Sequence, residues 1–198
     1  MNEINENFQI MEKNNTQKQE NNNLLKKWLL KKQVREYKKT FRHYLLTSRF
    51  TNKTWNENSI YRNNHSNVKC IYCSPDPISR EIPNDSVLFI LEMNNDTNKI
   101  IGIGMVKNHP IINKFSVYSV GNYNRYSFVG KLRIDRENMT EDEERIMQVF
   151  DILCFTGNKH MKRGQGLKAF PVDMLYRCSK KLDLVNFIRE MFKKRLNQ

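Results

Sequence analysis

The chain has 198 residues and a formal net charge of +13, from 34 Lys and Arg against 21 Asp and Glu. That length suffices for one domain with a buried core plus a tail, and the excess of cations makes a polyanion the default partner. No apolar stretch reaches the ~20 residues of a membrane span, no N-terminal run reads as a secretory leader, and four cysteines are too few for a disulfide scaffold, so a reducing intracellular compartment and no membrane partner are expected.

Residues 1–23 are polar and non-periodic. They bury too little apolar surface to offset chain entropy and are expected to be disordered or weakly ordered. A basic amphipathic helix is expected over residues 24–50, where Leu30, Val34, Tyr37, Phe41, Tyr44 and Leu45 recur at steps of three and four. Its other face carries Lys26, Lys27, Lys31, Lys32, Arg35, Lys38, Lys39 and Arg42, with Glu36 the only acid among them. Like charges at i,i+4 disfavour the helix. The unmixed face therefore reads as a surface for phosphates, with Lys31, Lys38 and Arg42 as contacts, or for a protein partner.

Residues 51–198 read as a single α+β domain. The stretch 51–67 is loop-like and holds Trp55 and Tyr61. A short strand is expected from Val68 to Tyr72, and Pro75, Pro77 and Pro83 exclude a long helix after it. Val87–Met93 and Lys99–Lys107 read as a hairpin around Asn94–Asn98, since Asn and Asp tolerate left-handed backbone and bond their own main chain. Both strands are almost continuously apolar, which implies that both faces of the hairpin are covered. Gly102 and Gly104, two apart, leave one face open to tight curvature or a close neighbour. Two more strands are expected at Phe115–Val120 and Tyr126–Ile134. Thr140 and Glu143 form a capping box for a helix with Ile146, Val149, Phe150 and Leu153 inward. Pro171 suits the first turn of a short helix, and Asp183 the N-cap of a last one from Leu184 to Leu196.

Chemical motifs are few. Cys70-Ile-Tyr-Cys73 is half of a zinc site, and no second pair at ligand spacing accompanies it. No metal or cofactor is expected. The loop "GNKHMKRGQG", Gly157–Gly166, lacks the Walker A order. It does set Lys159, His160, Lys162 and Arg163 between glycines that let a backbone approach a phosphate. No HExxH, GxSxG or paired carboxylates appear, so an enzyme is not expected. An RNA-processing activity through His160 and Lys162 stands as the third alternative. Five aromatic residues sit in polar company, Trp55, Tyr61, Tyr72, Tyr123 and Tyr126. Each serves either packing or base stacking, and a basic surface with exposed aromatics is what single-stranded nucleic acid requires.

The segments "KCIYCS", "VLFILEM", "NKIIGIGMVKN" and "YSFVGKLRI", in that order over Val68–Ile134, resemble the PUA-like superfamily, in particular its YTH and EVE branch. The resemblance implies a curved β-sheet or barrel of five or six strands flanked by helices. It also implies a pocket for a modified or flipped nucleotide at the first strand and the connection after it. That connection, Ser74–Ser86, departs from the YTH pattern: it holds three prolines and no aromatic residue. An aromatic cage must therefore draw on Trp55 or Tyr61 from upstream, or on Tyr123 and Tyr126. A cationic methylated guanine would also need a carboxylate, for which Glu92 and Asp76 are candidates, with Lys131, Arg133, Lys159 and Arg163 available for phosphates.

The function expected is RNA binding, with RNA favoured over DNA, through recognition of a modified nucleotide or a methylated 5′ cap. The alternative is a non-enzymatic DNA- or protein-interaction module of a larger assembly, such as a viral one, working through the N-terminal helix.

Overall fold

The computed structural model describes residues 2–158 and 160–197, with side chains from Gln19 onward. The chain divides into two units, residues 1–41 and 42–198. The first is one helix, α1 (Asn2–Lys39). It takes in Asn2–Asn23, the segment expected to be disordered or weakly ordered, a stretch that has no Gly or Pro to interrupt a helix. The basic helix ends at Lys39 and not at residue 50. Thr40 closes it, its hydroxyl donating to the Tyr37 carbonyl at 2.7 Å, and Phe41 packs edge-on against Tyr37.

Tyr44 and Leu45 belong instead to β1 (His43–Phe50), a buried strand. Tyr44-Leu-Leu46 is a continuous apolar run, and in the second unit it lies between two other strands. Tertiary burial overrides the helical spacing there. Next comes α2 (Asn52–Asn63), in the segment expected to be a loop. Its signal is Thr51-x-x-Thr54: the Thr54 N–H donates to the Thr51 hydroxyl at 3.2 Å and the Thr51 N–H to the Thr54 hydroxyl at 2.9 Å.

The remaining elements are β2 (Cys70–Ser74), β3 (Val87–Asn94), β4 (Lys99–Lys107), β5 (Ile111–Ile112), β6 (Tyr126–Gly130), β7 (Leu132–Asp135), α3 (Glu141–Phe155), β8 (Lys168–Ala169), α4 (Val172–Ser179) and α5 (Leu184–Leu196). The result is an α+β protein with a mixed five-stranded sheet, order β7-β4-β3-β1-β8, and a three-stranded sheet, order β2-β6-β5. Among the described residues the strands do not close into a barrel. The β1–β3 pair is parallel, with α2 and β2 in the crossover between them. The hairpin forms as expected, buried on both faces. Asn94 Oδ1 accepts from the Asp96 and Thr97 N–H groups, and Asn98 takes φ 55°. The caps at Thr140 and Asp183 form as well.

Two expected strands do not. Residues 115–120 are irregular because a side chain replaces the partner strand: Asn124 Oδ1 accepts from the Val117 and Tyr118 N–H groups at 3.0 and 2.9 Å. The run 126–134 is not one strand, because the chain changes sheets at Gly130 and Lys131. A Cβ at 130 would strike the Met105 carbonyl, so glycine permits that crossing.

The two sheets meet at a buried polar network. Tyr72 of β2 donates to Glu92 Oε1 at 2.7 Å. Arg133 of β7 grips the same carboxylate through Nη2 at 2.7 Å and Nε at 2.9 Å. The Arg133 and Glu92 side chains are only 5% and 1% exposed. Burial opposes the charge on Arg133, but attraction and hydrogen bonds from Glu92 outweigh it, and its pKa rises. Gly104 and Gly102 explain the fit: a Cβ at 104 would overlap the Tyr72 hydroxyl, and one at 102 the Glu92 carboxylate. Breaking a buried pair from one side costs about 3–5 kcal/mol. Glu92→Ala is therefore expected to destabilise by that amount, and Glu92→Leu/Arg133→Met to recover most of it. Urea denaturation of the single and double variants measures both.

His43 of β1 stacks on Phe89, which stacks on Phe192 of α5. Burial, and then the positive charges of Arg189 and Lys193, hold the His43 pKa below its ordinary value. The folded state thus binds this proton less readily than the unfolded state, and its stability falls as pH drops below about 6.5. His43→Phe, which keeps the stack, should flatten the decline in the urea midpoint between about pH 7 and pH 5. An unchanged decline would assign it to other groups.

Candidate functional site

A cleft of about 200 Å³ opens in the second unit where β1 ends and α2 begins. Ser48, Arg49 and Phe50 form one side, with Thr51 and Thr54 of the α2 cap. Tyr118, Tyr123 and Cys73 line a second side, and the hairpin turn contributes Asn95. The loop Gly164-Gln165-Gly166 completes it.

Arg49 is the cation of this cleft. Its Nε donates to the Met161 carbonyl at 2.5 Å and its Nη1 reaches the Gly166 carbonyl at 3.4 Å. Burial lowers its pKa, with Cys154 partly opposing the shift; an arginine remains charged regardless. Among the described residues no carboxylate lies within ion-pair distance of it. The adjoining end of α2 has no acid in its first turn, although Asp96 takes the Asn52 N–H at 2.7 Å. The cleft is therefore positive at a place screened from water, where a charge acts most strongly.

The aromatic and polar walls are held in place. Tyr118 is buried, its hydroxyl accepting from Asn58 Nδ2 at 3.0 Å, and burial raises its pKa. Asn58 also donates to the Ile71 carbonyl at 2.8 Å, which fixes α2 to the edge of β2. Tyr123 is half-buried on the 3₁₀ turn Gly121–Asn124. Asn95 Nδ2 donates to the Lys162 carbonyl at 3.1 Å, while its Oδ1 is buried and unpaired. Cys73 contributes shape, not a nucleophile, since burial pushes its thiol up to about 11.

Of the aromatic candidates, Tyr123 alone lines the cleft. Trp55 stands behind it, edge-on to Phe50 at 5.2 Å, with Arg62 and Arg133 over its ring. Tyr61 stacks on His65 and meets Phe115. Tyr126 lies opposite Ser74 in the β2–β6 pair, under Arg125. Tyr72 and Glu92 are corrected outright: both are fully buried in the network with Arg133 and are closed to a ligand. Asp76 is exposed and outside the lining.

Among the basic candidates, Arg133 is spent on Glu92 and Asp135. Lys131 is exposed at the change of sheets. Lys162 and Arg163 lie in the loop just before Gly164, half-buried and exposed respectively, while Lys159 lies outside the described residues. His160 is half-buried, and its Nδ1 is buried without a partner. Lys31 and Lys38 lie on α1, in the first unit, and Arg42 is exposed at the start of the second. Cys70 is buried on β2 with its thiol raised to about 12. Among the described residues no three His, Cys, Asp or Glu side chains gather as a metal site. No helix there is long and apolar enough to cross a membrane, and the four cysteines are free.

The residues missed are Ser48, Arg49, Phe50, Thr51, Thr54, Cys73, Asn95 and Tyr118, whereas Gly164–Gly166 belong to the glycine-bearing loop that the sequence singles out. The available signal was the threonine cap directly after "TSRF", which marks a strand end feeding a helix. No family model, curated protein or solved structure matches this chain.

Gly166 has φ 62°, and a Cβ there would strike the Ser74 hydroxyl, which itself donates to the Asp76 carbonyl at 2.6 Å. Gly166→Ala is expected to cost about 1–3 kcal/mol and to displace the loop from Arg49. Thermal denaturation reads the first effect. Increased amide exchange in residues 161–167 reads the second.

Proposed function

We propose that this protein binds single-stranded RNA and takes one nucleotide into the cleft, the base against Tyr123 and the polyanion chain toward Arg49. The observation that carries this reading is Arg49 itself, a sheltered guanidinium beside two tyrosines with no carboxylate within ion-pair distance among the described residues. Phosphate and base-edge acceptors are the groups such a fork binds best. A tyrosine face adds base stacking, and inside a walled cleft the shape of the stacked base decides how well it fits. The strand order β2, β3, β4, β6 supports carrying the PUA-like resemblance forward as a proposal, with the nucleotide beyond the end of β2.

The same charge balance favours one of the two ligand forms. A methylated guanine cap is cationic and calls for a carboxylate, yet Glu92 is closed off and Asp76 lies elsewhere. A neutral modified nucleotide within a strand suits the cleft better. Arg49→Gln is expected to weaken binding of a labelled RNA oligonucleotide about tenfold or more and to lower its salt slope by about 0.7. Tyr123→Ala should cost about 1–3 kcal/mol and reduce selectivity among a panel of modified, unmodified and capped oligonucleotides, read by fluorescence anisotropy. Unchanged affinity and selectivity in both variants, or a strong preference for the cap, would sink the reading.

A further inference from the structure

The first unit carries a second surface that the cleft does not use. Between Leu24 and Lys39, α1 places Lys27, Lys31, Lys32, Arg35, Lys38 and Lys39 within roughly 140° of its circumference, along about 18 Å of its length. Leu30 and Tyr37 lie on the opposite side together with Lys26, and Val34 at the margin of the arc, so six of the seven cations between Leu24 and Lys39 share one face. Glu36 pairs with Lys39 at 2.8 Å. Among the described residues no carboxylate lies within ion-pair distance of Lys27, Lys31, Lys32 or Arg35. Trp28 stands inside the same arc of cations, 57% exposed, with Lys32 Nζ 5.5 Å from its ring centre.

We infer that this face of α1 is a separate contact for single-stranded nucleic acid, with Trp28 stacking on a base while Lys27, Lys31, Lys32 and Arg35 follow the phosphates. An exposed indole beside Lys27, Lys31, Lys32 and Arg35 supplies both parts of such a site, a π-face and a positive track. An anionic membrane is the rival occupant, because Leu24, Leu25 and Leu29 are exposed near Trp28. Helices that lie in a membrane interface set their cations on the face opposite the tryptophan and leucines. In α1 the cations share the face of Trp28, which favours a polyanionic strand. The inference extends the RNA-binding reading by a second contact that reads no sequence.

The test uses the full chain and a labelled oligouridylate. Trp28→Ala is expected to weaken binding about tenfold, and Lys27→Gln/Lys31→Gln/Arg35→Gln to reduce the salt slope by about 2. Quenching of intrinsic fluorescence by RNA should fall in Trp28→Phe to the part that Trp55 contributes. Circular dichroism establishes that the variants stay helical. These variants should weaken all oligonucleotides alike and keep the selectivity ratios that Tyr123→Ala alters, so loss of either contact is seen without the other. Full affinity and slope in both α1 variants overturn the inference. So does Trp28 emission that responds to phosphatidylserine–phosphatidylcholine vesicles and not to RNA.

Discussion

The second unit depends on one buried carboxylate. Glu92 interrupts the most apolar strand of the chain, and an unpaired charge at that depth would cost several kcal/mol. It is tolerated because Tyr72 and Arg133 converge on it from two other strands, and they reach it because Gly102 and Gly104 carry no side chain. The same guanidinium lies under Trp55, Trp55 is packed edge-on against Phe50, and Phe50 lines the cleft. A contact chain thus joins the network to the wall of the candidate site. The aromatic residue that looked like a cage member acts as a prop.

Two arginines show how partners decide a role. Arg133 and Arg49 are both largely withdrawn from water. Arg133 meets a carboxylate in bidentate geometry, so its charge is neutralised inside the fold. Among the described residues Arg49 meets carbonyl oxygens alone, of Met161 and Gly166. Carbonyl dipoles solvate a guanidinium without cancelling it, and the remaining field is what the proposed polyanion would meet. Net charge of the sequence predicts a polyanion but cannot distinguish these two cases; the ion pairs can.

Local physics made some elements legible. The Asn94–Asn98 turn, the Thr140 box and the Asp183 cap each depend on residues within four positions, and each forms where the sequence places it. β1 was not legible, because Tyr44 and Leu45 continue a helical spacing by accident and only the neighbouring strands β3 and β8 make them extended. Residues 115–120 failed for a related reason: the Asn124 side chain takes the hydrogen bonds that a strand partner would have made. The cleft was hardest of all. Its residues come from five separated stretches between Ser48 and Gly166, and of the pocket candidates only Tyr123 stood out beforehand.

Asparagine, about an eighth of the chain, has a part in this that composition conceals. Asn58, Asn94, Asn108 and Asn124 are all buried. Asn58 holds the Ile71 carbonyl, Asn108 the Ile82 and Pro83 carbonyls, and Asn124 both sides of Tyr118. Each amide satisfies backbone groups that no ladder reaches, at turns, in loops or on the open edge of β2, and buried backbone groups without partners are costly. Two of the four, Asn58 and Asn124, position Tyr118 directly. The cleft walls are therefore fixed before any ligand arrives, which spares a binding event the cost of ordering them. Within an abundance that looks like mere compositional bias, these four amides tie down the backbone around the candidate site and elsewhere in the second unit.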